Sequence, residues 1–204
     1  PAVFIPIAEK NGAIVPIGTW VVEESIRCFA DWKKKYTGHF VLSLNISAIQ
    51  YKKTDFVDIV MQIIRKYDVD PHEIELEITE SVLIDNFTEM TEKLCVLREY
   101  GFRISLDDFG TGYSSLSYLK GLPIDTLKID KSFVDAMLVD DNARIITESI
   151  VYMVRKLGFE TIAEGVETNE QFEYLKSIEC DCIQGFLLGK PIPKDEVEKL
   201  LLRS

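Results

Sequence analysis

The chain has 204 residues, 47% of them hydrophobic and 28% charged, and its 23 Lys and Arg against 34 Asp and Glu give a net charge of −11. This is the composition of a folded globular protein with one sizeable core, which excludes disorder and a disulfide-dependent scaffold. Duplex nucleic acid and anionic membrane surfaces are disfavoured as partners, because each needs a basic face and none is present. No apolar run reaches the ~18–20 residues of a membrane span. No basic segment followed by an apolar one marks a signal peptide at the N-terminus.

The predicted elements alternate along the chain. A helix is expected near 19–34, where Val22, Ile26 and Phe29 share a face. A strand follows at 40–46, then a helix near 54–67 carrying Phe56, Val60, Ile63, Ile64 and Tyr67. Next come a strand at 74–80 and a helix near 86–100, capped by Asn86 with Glu89 three residues on and striped by Phe87, Met90, Leu94 and Leu97. Strands are expected at 103–108 and 125–130. The helix near 142–157 carries Ile146, Ile150, Met153 and Leu157 and stops at Gly158. After a strand at 160–164, Thr168 opens a helix in which Gln171 completes a capping box and Phe172 and Leu175 are buried. A strand at 181–187 and a short helix after Pro193 complete the pattern. Trp20 and Trp32 are assigned to the core or to helix faces. Cys28, Cys95, Cys180 and Cys182 read as reduced core thiols of a cytoplasmic protein. With only His39 and His72 available, zinc-finger spacing is absent. The chain begins at Pro1 without an initiator Met, as a fragment or a domain of a longer protein would.

Strands alternating with helices imply right-handed crossovers and a parallel sheet. The strand faces refine this. Glu75 and Glu77 oppose Leu76 and Ile78; Ser105 and Asp107 oppose Ile104 and Leu106; Lys128 and Asp130 oppose Leu127 and Ile129. A doubly wound sheet would be apolar on both faces. One polar face, richest toward the strand ends, instead fits a closed or nearly closed α/β barrel with a site at its C-terminal mouth.

The polar strand-end residues are Asn45, Glu77, Asp107 with Asp108, Lys128 with Asp130, Glu164 with Glu167, and Gln184. Carboxylates gathered without Arg partners stay ionised together only around a cation. Oxygen ligands of this kind suit Mg²⁺ or Mn²⁺. Asp107 and Asp108 are adjacent, as a bridge between two ions ~3.5–4 Å apart would require, the spacing of two-metal phosphoester chemistry. The alternative is a set of unrelated surface acids at loop starts and caps. Asp125, Asp140, Asp141 and Asp181 are assigned to such turns and caps. The Gly- and Ser-rich stretch 107–119 lacks phosphate-loop spacing and reads better as a movable cover.

These residues stand in motifs that resemble the EAL domain, the bacterial cyclic-di-GMP phosphodiesterase family. They are FIPIAE at 4–9, NIS at 45–47, ELEITES at 75–81, DDFGTGYSSL at 107–116, LPIDTLKID at 122–130, IAEGVET at 162–168 and QGFLLGKPIP at 184–193. The resemblance implies a modified TIM-like (β/α)₈ barrel in the bacterial cytoplasm, and metal-dependent hydrolysis of cyclic di-GMP to linear pGpG. By motif, Asn45, Glu77 and Asp107 would bind one Mg²⁺ or Mn²⁺. Asp107 and Asp108 would bind a second, with Glu164 nearby. Lys128 would contact the nucleophilic water or the phosphate, Glu164 would accept the proton, and Gln184 would order water. Asp130, Glu167, Gly185 and Pro191 would bind substrate. Glu80 would anchor the 110–118 loop, which in the family links the site to a dimer interface. A homodimer is therefore expected, with sensor or diguanylate cyclase domains elsewhere in the parent protein.

One departure stands out. The family's first two strands, with the Glu-Ala-Leu signature, should precede FIPIAE. The chain is accordingly read as a single EAL domain over 1–204, truncated at its N-terminus, with six of eight strands. It is expected to bind metal more weakly than a complete domain and to hydrolyse cyclic di-GMP slowly or not at all. The competing readings are an inactive cyclic-di-GMP receptor and a protein-interaction module.

Overall fold

A computed structural model describes residues 3–36, 38–83, 87–110 and 119–201. They fall into two compact units, Pro1–Ile104 with Ile192–Ser204, and Ser105–Pro191.

The first unit opens with α1 (Phe4–Asn11) and α2 (Ile14–Lys35), continues through β1 (Leu42–Ile46), α3 (Ala48–Tyr51) and α4 (Phe56–Tyr67), and reaches β2 (Ile74–Thr79) by a 3-10 turn at Pro71–Glu73. A second 3-10 turn, Glu80–Leu83, leads to α5 (Phe87–Glu99), and the C-terminal helix Lys194–Leu201 also belongs here. The stripes act as expected: Val22, Ile26 and Phe29 of α2, Phe56, Val60, Ile63 and Ile64 of α4, and Met90, Leu94 and Leu97 of α5 are all buried. Asp68 ends α4 in the left-handed conformation at φ 53°. Strands β1 and β2 pair in parallel, with Ser43 opposite Glu75 and Asn45 opposite Glu77. The expected cap at Asn86 lies outside the described residues. The sequence reading has no counterpart to α1, because its Phe4, Ile5 and Ile7 are exposed and form no core stripe. Trp20 is a helix-face residue, 65% exposed, while Trp32 donates through Nε1 to Glu198 at 3.1 Å.

The second unit contains most of β3 (Arg103–Phe109), then β4 (Thr126–Ile129), α6 (Lys131–Ala136), α7 (Asp141–Leu157), β5 (Glu160–Glu164), α8 (Asn169–Ser177) and β6 (Cys182–Gln184). The strands pair in parallel in chain order, β3 with β4, β4 with β5 and β5 with β6. Six strands, with helices in every connection except β3 to β4 among the described residues, are the expected α/β arrangement. Val134, Met137, Ala163, Val166 and Leu175 form a fully buried cluster that Phe172, Ile183 and Leu187 pack against. Capping follows the sequence: Asp140 accepts from Asn142 N, Gly158 ends α7 at φ 85°, and Thr168 and Gln171 form the capping box. Asp181 ties the strand starts together by accepting from Thr161 N at 2.9 Å and Thr161 Oγ1 at 2.7 Å.

Three readings need correction. The buried face of α7 carries Ala143, Thr147, Ile150, Val151 and Val154, while Ile146 is 45% exposed. Thr147 turns its hydroxyl to Ala143 O at 2.8 Å, so a polar residue is buried at no hydrogen-bonding loss, and a search for apolar residues alone misplaces the stripe. The cysteines are free thiols as expected but not core ones: Cys95 and Cys182 are exposed and Cys28 and Cys180 half-buried. Strand β6 is shorter than 181–187. The chain turns at Gly185, whose carbonyl accepts from Leu188 N at 3.1 Å, and leaves Phe186 and Leu188 exposed. Among the described residues, no helix is long and apolar enough to cross a membrane.

Candidate metal and active site

In the second unit the site starts from an irregularity in β3. Leu106 pairs with Leu127 and Phe109 with Ile129, so the register shifts by one residue between them. Asp108 within that shift has φ 56°. Successive side chains of a regular strand point to opposite faces, and a bulge at a left-handed residue breaks that alternation. Two consecutive carboxylates can then serve one site. Asp107 Oδ1 also accepts from Asp108 N at 3.0 Å, which fixes the bend.

Asp107, Asp108 and Glu164 offer carboxylate oxygens that all lie within 4.8 Å of one another. Lys128 on β4 is only 2% exposed, and its Nζ lies 2.5 Å from Glu164 Oε1 and 3.5 Å from Asp107 Oδ1. Burial, followed by the nearby Asp107 and Asp130 carboxylates, pushes the Asp108 carboxyl above its ordinary pKa, with Lys128 pulling the other way. Three carboxylates crowded together in a partly desolvated place are a charge density that a hard divalent cation relieves. The donors present therefore fit a hard divalent cation.

Asp130, at the end of β4, caps α6 by accepting from Ser132 N at 3.0 Å. Past Glu164 the chain makes a tight turn. Gly165 has φ 71°, and a Cβ there would lie 2.3 Å from Lys131 Cγ. Lys131 Nζ reaches Glu167 Oε1 at 2.8 Å, Asp135 Oδ1 at 3.1 Å and Gly165 O at 3.5 Å. Glu167 is thus an exposed, ion-paired residue of this turn. Gln184 is exposed and stands level with Glu164 in the β5–β6 register. Its carbonyl accepts from Val166 N at 3.1 Å, and Val166 O accepts from Leu187 N at 3.0 Å. Gly185 is half-buried, and Pro191 is exposed. Lys131 was not singled out by sequence; its one signal is a basic residue directly after the Asp130 cap.

Gly185 is required by close approach, since a Cβ would sit 2.1 Å from Val166 O, a backbone atom. Gly185→Ala is expected to destabilise by roughly 2–3 kcal/mol in urea denaturation. At Gly189 an added Cβ meets nothing within 4 Å, and Gly189→Ala should stay within ~0.5 kcal/mol. Equal midpoints for the two variants would contradict the tight packing at Gly185.

In the first unit, Asn45 Nδ2 donates to Glu77 Oε2 at 2.8 Å, and two residue pairs earlier Ser43 Oγ donates to Glu75 Oε2 at 2.9 Å. Both glutamates are buried. Arg103 Nε lies 3.7 Å from Glu75 Oε1. Just past β1, Ser47 donates to Glu9 Oε1 at 2.8 Å. Parallel pairing therefore delivers Asn45 and Glu77 as an oriented amide–carboxylate pair. Glu80 is half-buried at the start of its 3-10 turn. The loop it is expected to anchor lies outside the described residues from 111 to 118, as does that part of the expected cover.

Comparison with known proteins places this geometry in context. The profile of the EAL domain family matches residues 1–191. The chain is 40% identical over 197 residues to the "Bifunctional diguanylate cyclase/cyclic di-GMP phosphodiesterase MucR" of Pseudomonas aeruginosa, covering 97% of this chain and 29% of that protein. It is also 40% identical over 197 residues to the "Oxygen sensor protein DosP" of Escherichia coli, covering 97% of this chain and 25% of the relative. The chain thus spans between 25% and 29% of the length of these relatives. The solved "PaMucR Phosphodiesterase, c-di-GMP complex" superposes with a TM-score of 0.93 at 40% identity, over 97% of this chain and 80% of that one. The "Klebsiella pneumoniae BlrP1 pH 9.0 manganese/cy-diGMP complex" does so with a TM-score of 0.80 at 28% identity, over 88% and 45%. The fold is the TIM-like α/β fold these proteins share.

Proposed function

Because the chain belongs to the EAL domain family, we propose that it hydrolyses one phosphodiester bond of cyclic di-GMP, giving linear pGpG, with two Mg²⁺ or Mn²⁺ ions. The observation that carries this reading is the convergence of Asp107, Asp108 and Glu164 within 4.8 Å beside a buried lysine.

Asp107 and Asp108 would hold a divalent ion with Glu164 alongside, and the family motif would give Asn45 and Glu77, together with Asp107, the same task for the other ion. Bound divalent ions lower the pKa of an attached water and offset phosphate charge. Glu164 takes the proton of the attacking water on its carboxylate. Lys128, already 2.5 Å from that carboxylate, holds it in place and presents a positive charge to the phosphate. Gln184, level with Glu164, orients water through its amide. Asp130, Glu167, Gly185 and Pro191 line the substrate, and Glu80 anchors the 110–118 loop. The same proposal has the protein working as a homodimer in the bacterial cytoplasm, joined to sensor or diguanylate cyclase domains.

The test is incubation with cyclic di-GMP and Mg²⁺ or Mn²⁺, followed by ion-exchange chromatography. The expected result is pGpG that disappears with EDTA. Calorimetric binding of cyclic di-GMP without any pGpG would instead support a receptor, and neither binding nor product would support an interaction module.

A further inference from the structure

The turn that follows Glu164 is held by one buried side chain. Gln171 on α8 is 8% exposed. Its Oε1 accepts from Glu167 N at 2.7 Å and from Thr168 N at 3.0 Å. Its Nε2 donates to Val134 O at 3.3 Å. An ordinary capping box uses the third helical residue to satisfy the cap's own N–H alone. Here the same amide also satisfies the preceding residue and reaches a carbonyl in another helix.

That other helix is α6, which begins at Lys131, directly after the strand that carries Lys128 and its Asp130 cap. Glu164 is the last residue of β5, and the turn 165–168 continues from it. The amide of Gln171 therefore joins the segment following Glu164 to the segment following Lys128. Lys131 makes a second link of the same sense, through Gly165 O and Glu167. A primary amide supplies an acceptor for two N–H groups on one atom and a donor for a carbonyl on another, so one side chain of this length can bridge both segments. A carboxylate would face Val134 O with a second oxygen, and a thioether would satisfy none of the three well.

We infer that Gln171 is a positioning residue, which sets the Glu164 carboxylate against Lys128 and the Asp107–Asp108 pair by clamping the 165–168 turn to α6. This rests on the proposed metal site. Gln171 touches neither ion nor substrate and acts only through Glu164.

The test measures Mn²⁺ binding to the 204-residue chain by the electron paramagnetic resonance signal of free Mn²⁺, with thermal midpoints recorded in EDTA. Gln171→Met is expected to weaken Mn²⁺ binding about 10- to 100-fold, as loss of partners behind a metal ligand does. Thr168→Ala is the control, because it removes the cap to Gln171 N at 3.1 Å and keeps all three amide bonds. It should lower the midpoint and leave Mn²⁺ affinity unchanged. If both variants lose affinity in proportion to their midpoints, Gln171 is merely structural and the inference fails. If Gln171→Met does not fold, Gln171→Glu decides: it keeps the acceptors and loses the donor, and unchanged Mn²⁺ affinity overturns the inference. Absence of Mn²⁺ binding by the unsubstituted chain would overturn the metal site itself and this role with it.

Discussion

Replacing Asp107 by Asn is expected to lower cyclic-di-GMP turnover by about a thousandfold, the rate equivalent of ~4 kcal/mol of lost transition-state stabilisation. The substitution keeps size and shape. The amide oxygen can still accept from Asp108 N, the bond that fixes the bend at 3.0 Å in the native chain, so the fold should survive. What disappears is a negative oxygen from a group of three within mutual reach of one cation. The Lys128 ammonium, 3.5 Å away, loses part of its counter-charge as well. The check is steady-state turnover together with a far-ultraviolet circular dichroism spectrum. An unchanged spectrum with near-native turnover would refute the assignment of Asp107 as a metal ligand.

The second large effect is expected at Lys128. Its ammonium is buried between Glu164 and Asp107, and removing one partner of a buried pair leaves the others uncompensated, at ~3–5 kcal/mol. Lys128→Met should therefore lower the free energy of unfolding in EDTA by about 3 kcal/mol or more. Turnover should fall too, since Glu164 loses the group that orients it. Added Mn²⁺ should recover part of the lost stability, because a divalent cation compensates the same carboxylates. A Lys128→Met protein with the native urea midpoint in EDTA would sink this account.

Much of this was legible in the sequence because the period of hydrophobicity reports directly on strand and helix. The strand ends that carry Asn45, Glu77, Asp107, Lys128 and Glu164 follow from alternation alone, and Thr168 and Gly158 announce a helix start and a helix stop. Other features had no such signal. Helix α6 is six residues long, too short for a stripe to form. The buried face of α7 includes Thr147, whose hydroxyl is satisfied within its own helix, so hydropathy points to Ile146 instead. The adjacency of Asp107 and Asp108 suggested a shared ion, yet a regular strand would have separated them, and nothing in the letters shows that Asp108 adopts a left-handed backbone. Gln171 reads as a capping residue. Its bond to Val134 O spans 37 positions and depends on how α6 and α8 pack, which no local pattern encodes.

The shift in β3 has a consequence for how the site can change over time. Leu127 and Ile129 of β4 are two residues apart, while their partners Leu106 and Phe109 are three apart. The extra residue is an insertion in an otherwise regular strand. Deleting either aspartate would restore the two-residue spacing, keep Leu106 and Phe109 against the same neighbours, and leave one carboxylate where there were two. The loss of a ligand is thus separable from the hydrophobic frame that supports it. A single-codon deletion could silence the chemistry while sparing the scaffold, and a single-codon insertion could supply the second carboxylate to a strand already able to fold.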